Sequence, residues 1–330
     1  YQIGQKLSGS NNYNLSDLGN FYSDYDSIRE GCDDLDDDLI CDDEYDGYSY
    51  GDDPTPSKYY IGDCTPVVDS LDIYYSVILC ANTYNIDSTV WGIFDFKVGN
   101  VSVYGNNSIL NGDGEVEDDS AIFLNSGLEG IQIKNLTMQN YGTGIELSSA
   151  SFNVFDSITI VNTTYGNAYY SSLNSFNNSI INSIILGAAD SQMIRLHQSP
   201  NTLFSHNLVK NGVFGIVFDD SADSVVLGNN FINISTPILG SNVVLNDSNQ
   251  GNFYSDYDSL REGCIDNNNN LVCDSVRVFG SLTDYLPSNY YVGDCKNPDT
   301  SPNIEYSVIL CNDTYPITTD SSSGVVDFLQ

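Results

Sequence analysis

Basic side chains are scarce in this sequence. Ten Lys and Arg stand against 45 Asp and Glu over 330 residues, a formal net charge of −35. So few cations cannot neutralise a run of phosphates, which excludes nucleic acid as a partner. They give no purchase on an anionic membrane surface either. No run approaches the roughly 20 apolar residues that span a bilayer as a helix. No nucleotide-binding glycine loop, Ser-His-Asp order or zinc-helix motif is present. The chain opens at Tyr1 with no Met and no basic leader. The expectation is a secreted, extracellular protein whose signal peptide has been removed. What remains is acidic but not a disordered tail, because aromatic residues make up 12% of the chain and are spread along it. Such acidity suits bound cations, a saline exterior or a surface kept soluble by self-repulsion.

One segment occurs twice. GNFYSDYDSIREGC at Gly19–Cys32 returns as GNFYSDYDSLREGC at Gly251–Cys264. The match continues with gaps, and all eight cysteines lie in the two copies, four in each. Zinc sites need close pairs such as C-x₂-C. Here the spacings are 9, 23 and 16, then 9, 22 and 16, so disulfides in an oxidising compartment are expected. The preferred pairing is Cys32–Cys41, Cys64–Cys80, Cys264–Cys273 and Cys295–Cys311. Four cysteines allow three pairings per copy, and sequence does not choose among them. Pairing between molecules is the alternative.

Between the copies the texture changes. From about Trp91 to Gln250 the chain repeats every 22–25 residues or so, the scale of a solenoid. Short apolar strands start at Ile131, Ile145, Ile194 and Ile216, with second strands near Ile158, Leu208 and Phe231. Alternation within them has period two. Polar turns place Asn153, Asn178, Asn201 and Ser224 in register. Asparagine suits such positions because it tolerates left-handed backbone and its amide can bond the coils on either side. The fold class expected is all-β: a parallel β-helix (residues 91–250) flanked by two copies (1–90 and 251–330) of a small, disulfide-containing, β-rich domain with an Asp loop.

The segments VYGNNSILNG and GIQIKNLTMQNYGTGIEL, with coils ending in GNFYSDY, resemble the NosD-like right-handed parallel β-helix proteins of archaeal cell surfaces. In that family the helix often ends in G-N-Y-W-S-D-Y followed by D-x-D-x-D-G-x-G-D. This chain departs from it with Tyr22 and Tyr254 at the tryptophan, Leu39 and Leu271 at the loop glycine, and Cys41 and Cys273 at the second glycine. The resemblance implies a right-handed helix and a structural role in an envelope layer, sheath or filament. Copper delivery, associated with the family name, does not carry over, because no Met or His cluster is present to hold copper.

The Asp loop has calcium-loop spacing. Asp34, Asp36, Asp38, the Ile40 carbonyl and Asp42 supply oxygens at alternate positions. Asp266, Asn268, Asn270, the Val272 carbonyl and Asp274 repeat the pattern with two fewer carboxylates, so weaker binding is expected there. Hard cations take about 6–8 such oxygens, and Asp24 and Asp256 are candidates for a further ligand. Calcium is the expected cofactor. Surface glycans are possible partners, and nine Asn-x-Ser/Thr sequons are candidate glycosylation sites: Asn14, Asn100, Asn106, Asn135, Asn162, Asn177, Asn233, Asn246 and Asn312.

The two ends complement each other. QKLSGSNNYNLSDLGNFYSDY (5–25) aligns without a gap with PILGSNVVLNDSNQGNFYSDY (237–257), where the helix runs into the second copy. YSVILCNDTYPITTDSSSGVVDF (306–328) matches YSVILCANTYNIDSTVWGIFDF (75–96), where the first copy runs into the helix. A tail that stacks on the coils of another molecule makes a heterologous contact, which generates rings or filaments. The two copies either cap the two ends of the helix or join it to another molecule, and the partner expected is the chain itself, head to tail. Tyrosines abundant in the copies, such as Tyr45, Tyr48, Tyr50, Tyr59 and Tyr60, suit such interfaces. Enzymatic activity is not expected. The best carboxylates for a glycan-cleaving site are Asp219 and Asp220, with Arg195 and Lys210 on neighbouring coils. A paired Asp after a strand is usually a turn, and His197 and His206 have no clear partners in the sequence. A monomeric carbohydrate-binding or carbohydrate-cleaving β-helix is the alternative.

Overall fold

A computed structural model describes Cys32, Cys41, Ser57 and residues 64–86, 92–114, 119–164, 167–187, 192–249, 251–292, 303–304 and 327–328. The described residues form strands, turns and irregular backbone, with no helix. Successive short strands wind into a parallel β-helix of about seven turns. One coil contributes Val154–Asp156, Thr159–Val161 and Tyr169–Ser172; the next contributes Ser179–Ile181, Ile184–Leu186 and Gln192–His197. Each strand pairs in parallel with its counterpart one coil away. Val154 faces Ser179 and Thr159 faces Ile184, both 25 residues on, while Leu208 faces Asn230, 22 residues on. The solenoid period read from the sequence is thus the length of one coil.

Alternation sends one side chain in two into the interior. Ile122, Ile145, Tyr169, Ile194, Ile216 and Ile238 form one buried column, each opposite the next in register. Burying such a side chain contributes about 1.5–3 kcal/mol. Phe155, Tyr169, Phe204 and Phe218 thread the core as edge-to-face contacts with centroids 6.0–6.3 Å apart, a favoured aromatic geometry.

The corners explain the abundance of asparagine. The sequon asparagines Asn100, Asn106, Asn135, Asn162, Asn177 and Asn233 all have φ between 51° and 57°. Asparagine enters this left-handed region at lower cost than most residues. The sequons therefore arise largely where the coil must turn.

A second set of polar residues points inward and ties coil to coil. The N–H of Ile158 donates to Ser183 Oγ (3.2 Å), that of Ser183 to Asn207 Oδ1 (2.9 Å), and that of Asn207 to Asn229 Oδ1 (2.9 Å). Asn229 N–H then donates to Asn252 Oδ1 (3.0 Å), and Asn252 N–H to Asp284 Oδ2 (2.9 Å). A shorter ladder runs from Ile131 to Asn153 and on to Asn178. The residue beside Asn178 on the next coil is Thr202, whose N–H donates to Ser224 Oγ (3.2 Å). The register expected at Asn201 is corrected by one residue: Asn201 has φ 56° and makes the turn, while the neighbouring Thr202 is the buried rung. Corner and rung are adjacent positions with different requirements.

The solenoid also extends past the boundaries drawn at 91 and 250. Val77–Ile78 pairs with Val103–Tyr104, and Thr83–Asn85 with Ile109–Asn111, so the first coil lies inside the first copy. Phe253–Tyr254 pairs with Asn230–Phe231, so the last strand lies inside the second copy. The described part of the first copy thus supplies strands to the solenoid, and the second copy supplies its last strand.

Substituting Asn229 with Ala strands the Asn207 N–H and the Phe204 carbonyl, both of which Asn229 satisfies in the interior. Buried groups left without a partner cost roughly 1–3 kcal/mol each. The expected loss is about 3 kcal/mol in urea unfolding, with the denaturant slope unchanged.

Candidate metal centre

The second copy, from Gly251 onward, closes the open end of the solenoid. Its GNFY motif has a physical reason at each position. A Cβ on Gly251 would lie 2.1 Å from Asp284 Oδ1, so only glycine admits the carboxylate there. Asn252 ends the inner ladder on that carboxylate. Phe253 and Tyr254 finish the core, with the Tyr254 ring stacked on Phe231 at 5.5 Å. The Tyr254 hydroxyl donates to Asp284 Oδ2 (3.1 Å), and the Leu286 N–H donates to Oδ1 (3.1 Å). Burial pushes the Asp284 carboxyl above its ordinary range despite these donors. Arg277 covers the cap, its guanidinium 5.3, 4.9 and 5.2 Å from the Tyr254, Tyr257 and Phe279 ring centres.

From this cap projects the loop clipped by Cys264–Cys273, whose Cα atoms are 5.1 Å apart. Asp266 accepts the N–H groups of Asn270 (3.2 Å) and Leu271 (3.1 Å). Asn268 Oδ1 accepts the Asn270 N–H (3.0 Å), and Asn270 Oδ1 accepts the Val272 N–H (3.1 Å). Asp274 closes the ring, taking the Asn267 N–H (2.7 Å) and the Asn268 amide (3.1 Å). Leu271 stands where the resemblance led one to look for glycine, and it adopts φ 69°. The tight turn is therefore made without glycine, at a cost of about 1–2 kcal/mol. A disulfide across a short loop typically stabilises by about 2–4 kcal/mol, enough to offset it.

The donor set is all oxygen: two carboxylates, two amides and the Val272 carbonyl, on one loop. That chemistry fits a hard cation such as calcium, which accepts water for its remaining contacts. Among the described residues no cluster of three or more His, Cys, Asp or Glu occurs. The loop itself carries two carboxylates, Asp266 and Asp274. Asp256 is placed elsewhere: its carboxylate pairs with Arg277 at 2.7 Å, on the aromatic side of the cap.

The first-copy candidates Asp24, Asp34, Asp36, Asp38, Ile40 and Asp42 lie outside the described residues, as do Cys295 and Cys311, Asn14 and Asn312. Cys32 and Cys41 are described. They are buried and bridged with a Cα separation of 4.9 Å, like their second-copy counterparts. Ser57 is buried like its counterpart Ser288. Cys64–Cys80 forms the third bridge, also within the chain.

The carboxylates considered for glycan cleavage do not converge. Asp219 is held by Arg195 through Nε (2.9 Å) and Nη2 (2.8 Å). Asp220 is an exposed corner residue with φ 50°. Lys210 lies in the part of Leu208–Asp219 that pairs with Ile184–Leu186, a different side of the coil. His197 sits opposite Asp219 in register, and His206 is a corner residue with its Nδ1 2.6 Å from Ser205 Oγ. The pairing of His197 with Asp219 escaped sequence reading because it joins residues 22 apart on adjacent coils. Comparison with models of known protein families finds no match, and neither does comparison with curated proteins.

Desolvation pushes the Asp266 carboxyl up, but the Asn289 amide and the N–H groups of Leu271, Asn270 and Asn269 outweigh it. The net effect holds the group below its ordinary value. A carboxylate with a depressed folded-state pKa stabilises above the unfolded value, about 4, and that contribution is lost as pH falls through the folded value. Asp266→Asn is therefore expected to flatten the acid limb of a melting-temperature profile recorded without calcium. In the native protein, millimolar calcium should raise the melting temperature. The double variant Asp266→Asn/Asp274→Asn should lose the second-loop share of that rise.

Proposed function

We propose that this chain is a secreted structural protein of an archaeal cell surface, which assembles head to tail into a layer, sheath or filament. The observation that carries the reading is a repeated strand register. At the start of the solenoid, Ile73 faces Phe96 in parallel; in the second copy, Ile304 faces Phe328 in parallel. The second copy thus closes one β-helix with its first half and carries, in its second half, the strand pair with which a β-helix begins. A building block that both closes and opens a solenoid suits end-to-end stacking, because an uncovered coil end exposes unpaired backbone and apolar core.

Other features support parts of this reading. Disulfides persist in oxidising compartments. No helix of the described residues is long and apolar enough to cross a membrane. The resemblance to NosD-like proteins favours the cell surface, and calcium in the Asp loops would stiffen the caps from which the joints are made. The Arg195–Asp219 pair serves in this reading as a surface brace across coils, and the protein is not an enzyme. Of the solenoid sequons, Asn162 and Asn233 are exposed, the Asn233 amide donating to the exposed Asn211 (3.3 Å), whereas Asn106 is half-buried and its amide donates to the Leu79 carbonyl (3.3 Å). Peptide mapping after secretion from a host that N-glycosylates is expected to find glycan at Asn162 and Asn233, with Asn106 bare.

Electron microscopy of the oxidised protein in millimolar calcium, beside a chelated sample, tests the main reading. Regular rings, tubes or filaments that thin out on chelation are expected. Dispersed single rods in both samples, together with shortening of an acidic glycan, would replace it with the monomeric carbohydrate-acting alternative.

A further inference from the structure

Two corner residues break the pattern that the other coils keep. Phe152 N–H donates to the Phe176 carbonyl (3.1 Å), Asn177 N–H to the Pro200 carbonyl (3.3 Å) and Asn201 N–H to the Ala222 carbonyl (3.1 Å). Phe152, Asn177, Asn201 and Asp223 therefore hold equivalent places on successive coils, all with φ between 54° and 61°. By the same pairing Leu173, at φ 55°, is equivalent to Ser149, Gln198 and Asp220. Polar side chains fill this left-handed backbone on the neighbouring coils, where Asn and Asp in particular bond locally and tolerate it. A benzyl or isobutyl group gains no such bond. It gains little burial either, since Leu173 is 53% and Phe152 38% exposed. Among the described residues only Leu271, in the clipped Asp loop, shares an apolar side chain with such backbone. Strained backbone that displays apolar groups to the outside points to a use beyond the fold.

Both residues belong to one surface. Leu173 and Phe176 lie on the same turn, closed by the Ser175 N–H on the Ser172 carbonyl (3.2 Å), and the exposed Phe176 ring meets Phe152 edge to face at 5.2 Å. The surface is also free of charge. Residues 149–153, 173–178 and 198–202, the same corner on three successive coils, contain no Asp, Glu, Lys or Arg. Charge returns on either side, with the exposed Glu129 before them and the exposed Asp220 and Asp223 after. We infer that this corner, centred on Phe152, Leu173 and Phe176, docks against the same corner of a second copy of this chain. The charge distribution selects that occupant. A basic partner would be met by carboxylates, of which the chain has an abundance, whereas like charges brought face to face cost several kcal/mol. An uncharged face therefore suits a partner that is itself acidic. A second copy carries the same net charge of −35 and offers the same neutral corner, and a patch that pairs with itself closes about a two-fold axis. The corner lies on the side of the solenoid, so this contact goes beyond the head-to-tail reading and does not rest on it.

An apolar contact between two bodies of like charge strengthens as salt screens them, and raising NaCl from about 10 mM to about 1 M shortens the screening length from roughly 30 to 3 Å. The test uses the full chain with a chelator present and a photoreactive phenylalanine analogue in place of Phe176. It is mixed in equal amounts with isotope-labelled chain of the same sequence and irradiated at both salt concentrations. Cross-links that join labelled to unlabelled chains within residues 149–202 are expected, with a higher yield at high salt. Leu173→Asn installs a residue type that this backbone accepts readily. It should leave the melting temperature unchanged or raise it, while the yield of these cross-links falls roughly tenfold, the scale of losing an anchor at a contact. A purely structural role for Leu173 would lower the melting temperature and leave the yield alone, and that result overturns the inference. Polymers whose cross-links never reach this corner overturn it too, while the head-to-tail reading stands. Retention on a neutral glycan matrix that Leu173→Asn abolishes, with no cross-links between copies, would make the corner a carbohydrate site instead.

Discussion

Everything in this molecule hangs on the stacking of one coil upon the next, and that stacking is secured by side chains acting as backbone. A parallel coil satisfies its strand N–H groups through the coil beside it, but its corners leave the ladder. At one buried corner the missing acceptor is supplied by Ser183, Asn207, Asn229, Asn252 and finally Asp284. In a dry interior each such bond stands between the structure and an unsatisfied polar group. The column must therefore be continuous, and it must end on something. Asp284 is that terminus, which is why a carboxylate is tolerated at a site where burial disfavours its charge.

The same constraint shapes the cap. Asp284 reaches Asn252 only because position 251 carries no Cβ, and the Tyr254 ring shields the contact from one side while Arg277 lies across that ring. The Asp loop is attached to this assembly through its disulfide and through Asn289, which donates to Asp266 (3.3 Å). A cation bound in the loop would therefore act on the same short segment that terminates the ladder. In the second copy, closure of the solenoid, the loop and the aromatic cover form one physical unit.

The corners impose a different economy. Left-handed backbone recurs at several points in each coil, filled mostly by asparagine and occasionally by bulky residues such as Phe152 at φ 61° and Leu173 at φ 55°. Asparagine at a corner followed two residues later by a serine or threonine produces a sequon as a consequence of coil geometry. Exposure then separates Asn162 and Asn233 from half-buried corners such as Asn106. Chemistry available to an enzyme acting from outside is thus sorted by the fold, though the motif itself is not.

The parallel β-helix was legible in the sequence because its signal is local and repeated: apolar residues alternating with period two, in coils of nearly constant length. The short cysteine spacings made the Cys264–Cys273 clip readable for the same reason, since nine residues bring the two Cα atoms together in few ways. The principal ladder from Ser183 to Asp284 was not legible. Asn207, Asn229 and Asn252 look like ordinary turn residues until stacking aligns them, and Asp284 follows Asn252 by 32 residues through a hairpin. Nor was the pairing of Asp256 with Arg277 rather than with the loop, because a carboxylate near a loop in sequence goes to whichever cation folding brings closer. The repeat length and the alternation are properties of the chain taken residue by residue, and the sequence determined them. Which polar group ends which column depends on contacts between residues more than twenty apart, and only the tertiary structure decided that.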